Sequence, residues 1–159
     1  MRDMKNENIE KKSNLLVYLV DDDNEDQEIF HEALDQIDAK IELSVFDCGK
    51  AIIDELQANG KKPDLIFLDL YMPIMDGEEC LKKIREKHSS DTISIVMYST
   101  EFDIDRIEQL MSFGANKYLR KPDSFDSLIT SLETIFDSFK SASHLDSTIN
   151  IVNWYSPWV

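Results

Sequence analysis

Five times along this 159-residue chain, a short β-favouring apolar run is followed by a segment with apolar residues at helical spacing, and that alternation limits the fold more than any other feature. Leu15–Val20 (LLVYLV) and Asp64–Asp69 (DLIFLD) are continuous runs of the kind buried on both faces of a parallel sheet. Ile41–Phe46 (IELSVF) alternates and reads as a strand nearer an edge, while Ile93–Tyr98 and Asn116–Leu119 complete the set. Between and after them lie Ile29, Phe30, Ala33, Leu34 and Ile37; then Ala51, Ile52, Ile53 and Leu56; then a helix through about Lys87. Ile104, Ile107, Leu110 and Met111 follow, with Gly114 in a C-terminal capping position. Phe125 to Phe139 carries the clearest helical stripe.

Repeated strand–helix units with right-handed crossovers predict an α/β fold, a (βα)5 doubly wound parallel sheet of flavodoxin-like strand order 2-1-3-4-5. The expected organisation is a polar N-terminal extension over 1–13, one domain over 14–140, and a C-terminal tail over 141–159. The tail ends in IVNWYSPWV, and Trp154 and Trp158 read either as packing back on the domain or as anchors for a partner.

Seventeen basic against 32 acidic residues leave a net charge of −15, which repels nucleic-acid phosphates and offers no basic stripe. No apolar run approaches the roughly 18 residues of a membrane span, and the polar start has no export segment, so a cytoplasmic location is expected. Cys48 and Cys80 suit half-buried or buried thiols rather than a metal motif, and His31, His88 and His144 form no ligand pair at helical spacing.

Ligands of such sheets bind outside the carboxyl ends of the strands. Reading off those ends yields Asp21, Asp22 and Asp23 after the first strand, Asp69 after the third, Ser99 and Thr100 after the fourth, and Lys121-Pro122 after the fifth. Packed carboxylates repel each other, and a dication relieves that repulsion. Asp21, Asp22 and Asp69 carry −3, and a dication with Lys121 supplies +3. Oxygen-only ligands favour Mg²⁺. A carboxylate beside Mg²⁺ can attack phosphorus, with Mg²⁺, Lys121 and Ser99 each taking one equatorial oxygen.

At this point the chain resembles the receiver domains of two-component signalling, over about Asn14 to Lys140, through LLVYLVDDD, DLIFLDLYMPIMDG, ISIVMYST and GANKYLRKP. The resemblance implies that Asp69 is the phosphoacceptor. It implies that Asp22 and Asp69 ligate Mg²⁺ or Mn²⁺ with the backbone carbonyl of Tyr71, and that Asp21 acts partly through water. Ser99 takes the conserved-hydroxyl position, Lys121 the invariant-lysine position, and Tyr118 the switch aromatic that turns inward on phosphorylation. Tyr71 and Glu101 fall where the family tunes dephosphorylation, and Asp123 stands where an apolar residue is usual.

The implied phosphodonor is a histidine kinase or histidine phosphotransfer protein, and the implied readout is an unidentified protein partner. Phosphorylation-dependent pairing of two copies through the fourth helix, fifth strand and fifth helix stays open. A switch of this kind is not an enzyme beyond its own phosphotransfer and autodephosphorylation. No output domain is recognisable, so a stand-alone receiver similar to phytochrome-partner regulators is expected. A haloacid-dehalogenase-type phosphatase would need an acid at position 71, which is Tyr. A nucleotide or flavin module would need a Gly- or Ser/Thr-rich loop where Asp21–Asp23 stands. A receiver-shaped scaffold that is never phosphorylated is the third alternative.

Overall fold

In the computed structural model, which describes residues 14–37, 39–58 and 60–141, each apolar run forms a strand. The order is β1 (Leu15–Val20), α1 (Asn24–Asp35), β2 (Ile41–Phe46), α2 (Gly49–Gln57), β3 (Leu65–Leu68), α3 (Gly77–Lys87), β4 (Ser94–Ser99), α4 (Ile104–Ser112), β5 (Lys117–Arg120) and α5 (Phe125–Ser141). The strands make one parallel sheet in the order β2-β1-β3-β4-β5, as the alternation predicts. The extension over 1–13 and the aromatic tail, with Trp154 and Trp158, lie outside the described residues, as does His144.

Both faces of the central strands are buried. Leu16, Tyr18 and Val20 point into a core shared with Ile52, Leu81, Ile84 and Leu110 of α2, α3 and α4. Val17 and Leu19 point the other way, toward Phe30, Leu34, Leu132 and Phe136 of α1 and α5. That two-sided burial is why the β1 sequence is uniformly apolar rather than alternating. On the second face Phe30, Phe67, Tyr98 and Phe136 meet edge to face, with ring centroids 5.0 to 6.3 Å apart.

The edge position of β2 leaves Val45 exposed, while Phe46 turns to the Tyr18 ring at 4.9 Å. Three residues of the expected stripes also prove exposed, namely Ile29, Ile104 and Phe125. Ile104 and Phe125 are the first residues of their helices. Three helix starts are capped by aspartates whose carboxylates accept from backbone N–H groups of the first turn. Asp23 caps α1, Asp76 caps α3 and Asp103 caps α4. Gly114 follows α4 at φ 107°, the left-handed value that closes a helix. Cys80 is buried and Cys48 half-buried, as read from their apolar neighbours. Among the described residues no helix is long and apolar enough to cross a membrane.

Candidate functional site

The strand ladders continue one residue past their ends and fasten the acidic residues to the sheet. Asp21 N–H donates to the Phe46 carbonyl at 3.0 Å, Asp69 N–H to Val20 at 2.9 Å, and Lys121 N–H to Ser99 at 2.8 Å. Since Val20 pairs with Leu68, the next residues, Asp21 and Asp69, fall side by side on adjacent strands. Parallel register alone therefore brings two carboxylates together at the switch point. Asp22, one residue further on, is exposed and completes the group. One carboxylate oxygen from each of Asp21, Asp22 and Asp69 lies within 4.8 Å of the others.

Asp21 is fully buried and Asp69 is 6% exposed. Burial, then the charge of Asp21, push the Asp69 carboxyl up to about 7, while Lys121 pulls it down. Burial also raises Asp21, against hydrogen bonds from Lys121 and the Asp23 N–H. Lys121 Nζ sits 2.9 Å from Asp21 Oδ2, 2.7 Å from Asp26 Oδ2 and 3.7 Å from Asp69 Oδ2. Burial works against its charge, but the bonds to Asp26 and Asp21 more than offset this, and its pKa rises. All the donors at the carboxylate group are oxygens, their charges repel, and two of the three are buried. That donor set fits a hard divalent cation such as Mg²⁺ or Mn²⁺.

On the β4 side, Ser99 is buried and its Oγ accepts from the Glu101 N–H at 3.3 Å. Tyr118 is 5% exposed, and its hydroxyl donates to the Glu101 carbonyl at 2.7 Å. The resemblance implied a ring that swings inward on phosphorylation; here the ring already occupies the inward position. Tyr71 N–H donates to Asp69 Oδ1 at 3.4 Å, and its hydroxyl donates to the Glu101 carboxylate. Glu101 Oε1 also accepts from the Phe102 and Asp103 N–H groups, both at 3.2 Å. These bonds hold Glu101 below the usual carboxylate range, that from Tyr71 contributing most.

Of the residues expected at the site, Asp21, Asp22, Asp69, Tyr71, Ser99, Glu101 and Lys121 stand at the carboxyl ends of the strands or in the loops that follow them, and Tyr118 lies within β5. Two contributors escaped the strand-end reading because they belong to helices. Asp26, in the first turn of α1, makes the shortest contact to Lys121. Counting it corrects the charge balance: four carboxylates against Lys121 and a dication leave −1, not zero. No spacing in the sequence signals Asp26, because the packing of α1 against the site is what brings its carboxylate to Lys121. Gly77 is the second. A Cβ there would meet the Asp69 carbonyl oxygen at 2.2 Å and Leu70 Cα at 2.7 Å, so α3 begins against the site backbone only because residue 77 has no side chain.

A family model described as the response regulator receiver domain matches residues 17–133. The cyanobacterial phytochrome response regulator RcpA, solved in its phosphorylated form, is 27% identical with a TM-score of 0.74, over 82% of this chain and 97% of RcpA. The Mn(2+)-bound form of response regulator Rcp1 is 26% identical with a TM-score of 0.68, over 80% of this chain and 96% of Rcp1. The DNA-binding transcriptional regulator NtrC of Klebsiella pneumoniae is 26% identical over 125 residues, which are 79% of this chain but 25% of NtrC. The chain thus spans about a quarter of the length of that relative. With the sheet order, the acidic strand ends and a family match over most of its length, the chain belongs to the response regulator receiver domains.

Proposed function

We propose that this receiver accepts a phosphoryl group on Asp69 from a phosphohistidine of a histidine kinase or histidine phosphotransfer protein. The receiver proper occupies 14–140, between a polar extension and an aromatic-ended tail. The observation that carries the reading is the placement of Asp69 between two further carboxylates and the Lys121 ammonium. Asp21, Asp22, Asp69 and the backbone carbonyl of Tyr71 would hold Mg²⁺ or Mn²⁺, a reading supported by the Mn(2+)-bound Rcp1. When bound, the cation neutralises the carboxylates and the phosphoryl oxygens.

An Asp69 oxygen attacks phosphorus in line as the P–N bond of the donor breaks, and its electron pair leaves with the imidazole. No general base is required, because the nucleophile attacks as a carboxylate. Lys121 Nζ, 3.7 Å from Asp69 Oδ2, takes one phosphoryl oxygen, and the buried Ser99 hydroxyl takes another. Drawing Ser99 toward the phosphoryl group changes its contact with the Glu101 N–H. The Glu101 carbonyl in turn holds the Tyr118 hydroxyl, so the inward ring is the element whose population phosphorylation shifts. The readout is a change in binding to a partner protein, with no turnover of small phosphate esters.

Incubation with acetyl phosphate and Mg²⁺, followed by intact mass, tests the proposal. A single adduct of one phosphoryl group, absent from Asp69→Asn, is expected. No adduct, or an adduct that survives this substitution, would overturn it.

A further inference from the structure

Lys121 enters the site on a long, flexible side chain, and its neighbours decide where the ammonium rests. Its closest acceptor is Asp26 Oδ2 at 2.7 Å, then Asp21 Oδ2 at 2.9 Å; Asp69 Oδ2 stands back at 3.7 Å. The Lys121 side chain is 13% exposed; its bond to the buried Asp21 forms out of water, and its bond to Asp26, whose side chain is 36% exposed, forms at the rim of the site. The Asp26 N–H is tied to the Asp23 cap at 2.9 Å, and the capped turn of α1 delivers the carboxylate to a defined place. A cation held by Asp21, Asp22 and Asp69 would engage the Asp21 carboxylate and loosen its hold on Lys121. Asp26 is then the carboxylate that keeps the ammonium beside Asp69.

We infer that Asp26 is a positioning residue for phosphoryl acceptance, anchoring the Lys121 ammonium where it meets the phosphoryl oxygens at Asp69. The inference rests on the proposed role of Asp69. The ordinary role of an acid in a first helical turn, favourable interaction with the helix dipole, is shared by the exposed Glu25 in the same turn. Glu25→Gln is therefore the control.

The test uses the full chain with acetyl phosphate at saturating Mg²⁺, scored by intact mass. There an Asp69 oxygen gains phosphorus as the acetyl P–O bond breaks and acetate leaves with the electron pair. Asp26→Asn should slow phosphorylation on the order of tenfold, through misplacement of a catalytic charge. Asp26→Glu, which keeps the carboxylate, should recover most of the rate, and Glu25→Gln should leave it unchanged. In a Lys121→Ala background Asp26→Asn should have no further effect, because the two residues act as one unit.

A second measurement needs neither metal nor phosphodonor. In ¹⁵N-labelled protein the anchored Lys121 ammonium should give a sharp, exchange-protected signal, and Asp26→Asn should broaden it. An unchanged or faster rate in Asp26→Asn, additive losses in the double variant, or an unchanged ammonium signal would overturn the inference. If wild-type protein takes up no phosphoryl group, the reading of Asp69 fails, while the ammonium signal still decides whether Asp26 anchors Lys121.

Discussion

The Tyr71 hydroxyl donates to the Glu101 carboxylate, joining the loop after β3, which carries Asp69, to the loop after β4. Glu101 is in turn held by two backbone N–H groups of the α4 start, so the bridge has one fixed end. Tyr71 N–H also donates to Asp69 Oδ1, so we propose that the bridge obstructs a water attacking a phosphoryl group on Asp69. A long-lived phosphorylated form is expected, and Tyr71→Ala should shorten its life several-fold. Loss of phosphate from the purified protein, followed by mass, measures both; decay of the wild type within seconds would refute the idea.

Stability should depend on pH through Asp69 when no divalent cation is present. Its carboxyl is raised from an ordinary 3.8 to about 7 by burial and by Asp21. The folded state therefore binds a proton that the unfolded chain releases between those values. The stabilisation is complete below the lower value and is lost as pH rises through about 7, amounting to a few kcal/mol at most. Chemical unfolding in EDTA across pH 4 to 8 should show this decline, and Asp69→Asn should flatten it. Added Mg²⁺ should raise the wild-type melting temperature at pH 8 and leave Asp69→Asn much less affected.

Gly77→Ala should damage the site without touching any charged group. The added methyl meets backbone atoms of Asp69 and Leu70, neither of which can rotate away. Overpacking of this kind costs roughly 1–3 kcal/mol. Urea unfolding should show that loss, and Mn²⁺ titration should show weakened binding as Asp69 is displaced.

Tyr118→Phe keeps the ring but deletes the bond to the Glu101 carbonyl, at a cost of about 1 kcal/mol. Phosphorylation of Asp69 should proceed, while the spectral change that phosphorylation produces in the loop of Glu101 should shrink. Amide NMR of that loop, with and without acetyl phosphate, makes the comparison. An undiminished change would separate Tyr118 from the switch.

The order of elements, the sheet order and the strand-end acids are all legible in the chain, because each depends on local periodicity and on one topological rule. Leu15–Val20 is apolar at every position since helices cover both of its faces, and an aspartate directly after such a strand must lie at its carboxyl end. Strand bounds shifted by a residue, as in Ser94–Ser99, because the ladder and not hydropathy ends a strand.

Tertiary structure decided which side chains meet. Asp26 is five residues from Asp21 and 95 from Lys121, and only the packing of α1 against the site brings its carboxylate to 2.7 Å from the ammonium. The bridge from Tyr71 to Glu101 spans 30 residues, and the inward Tyr118 depends on a carbonyl 17 residues away. Residue type and spacing place a group on an element, whereas its partner across the site depends on how neighbouring elements pack. Local periodicity was enough to put Asp69 at the end of β3, whereas the Asp26–Lys121 contact exists only once α1 has packed against the site.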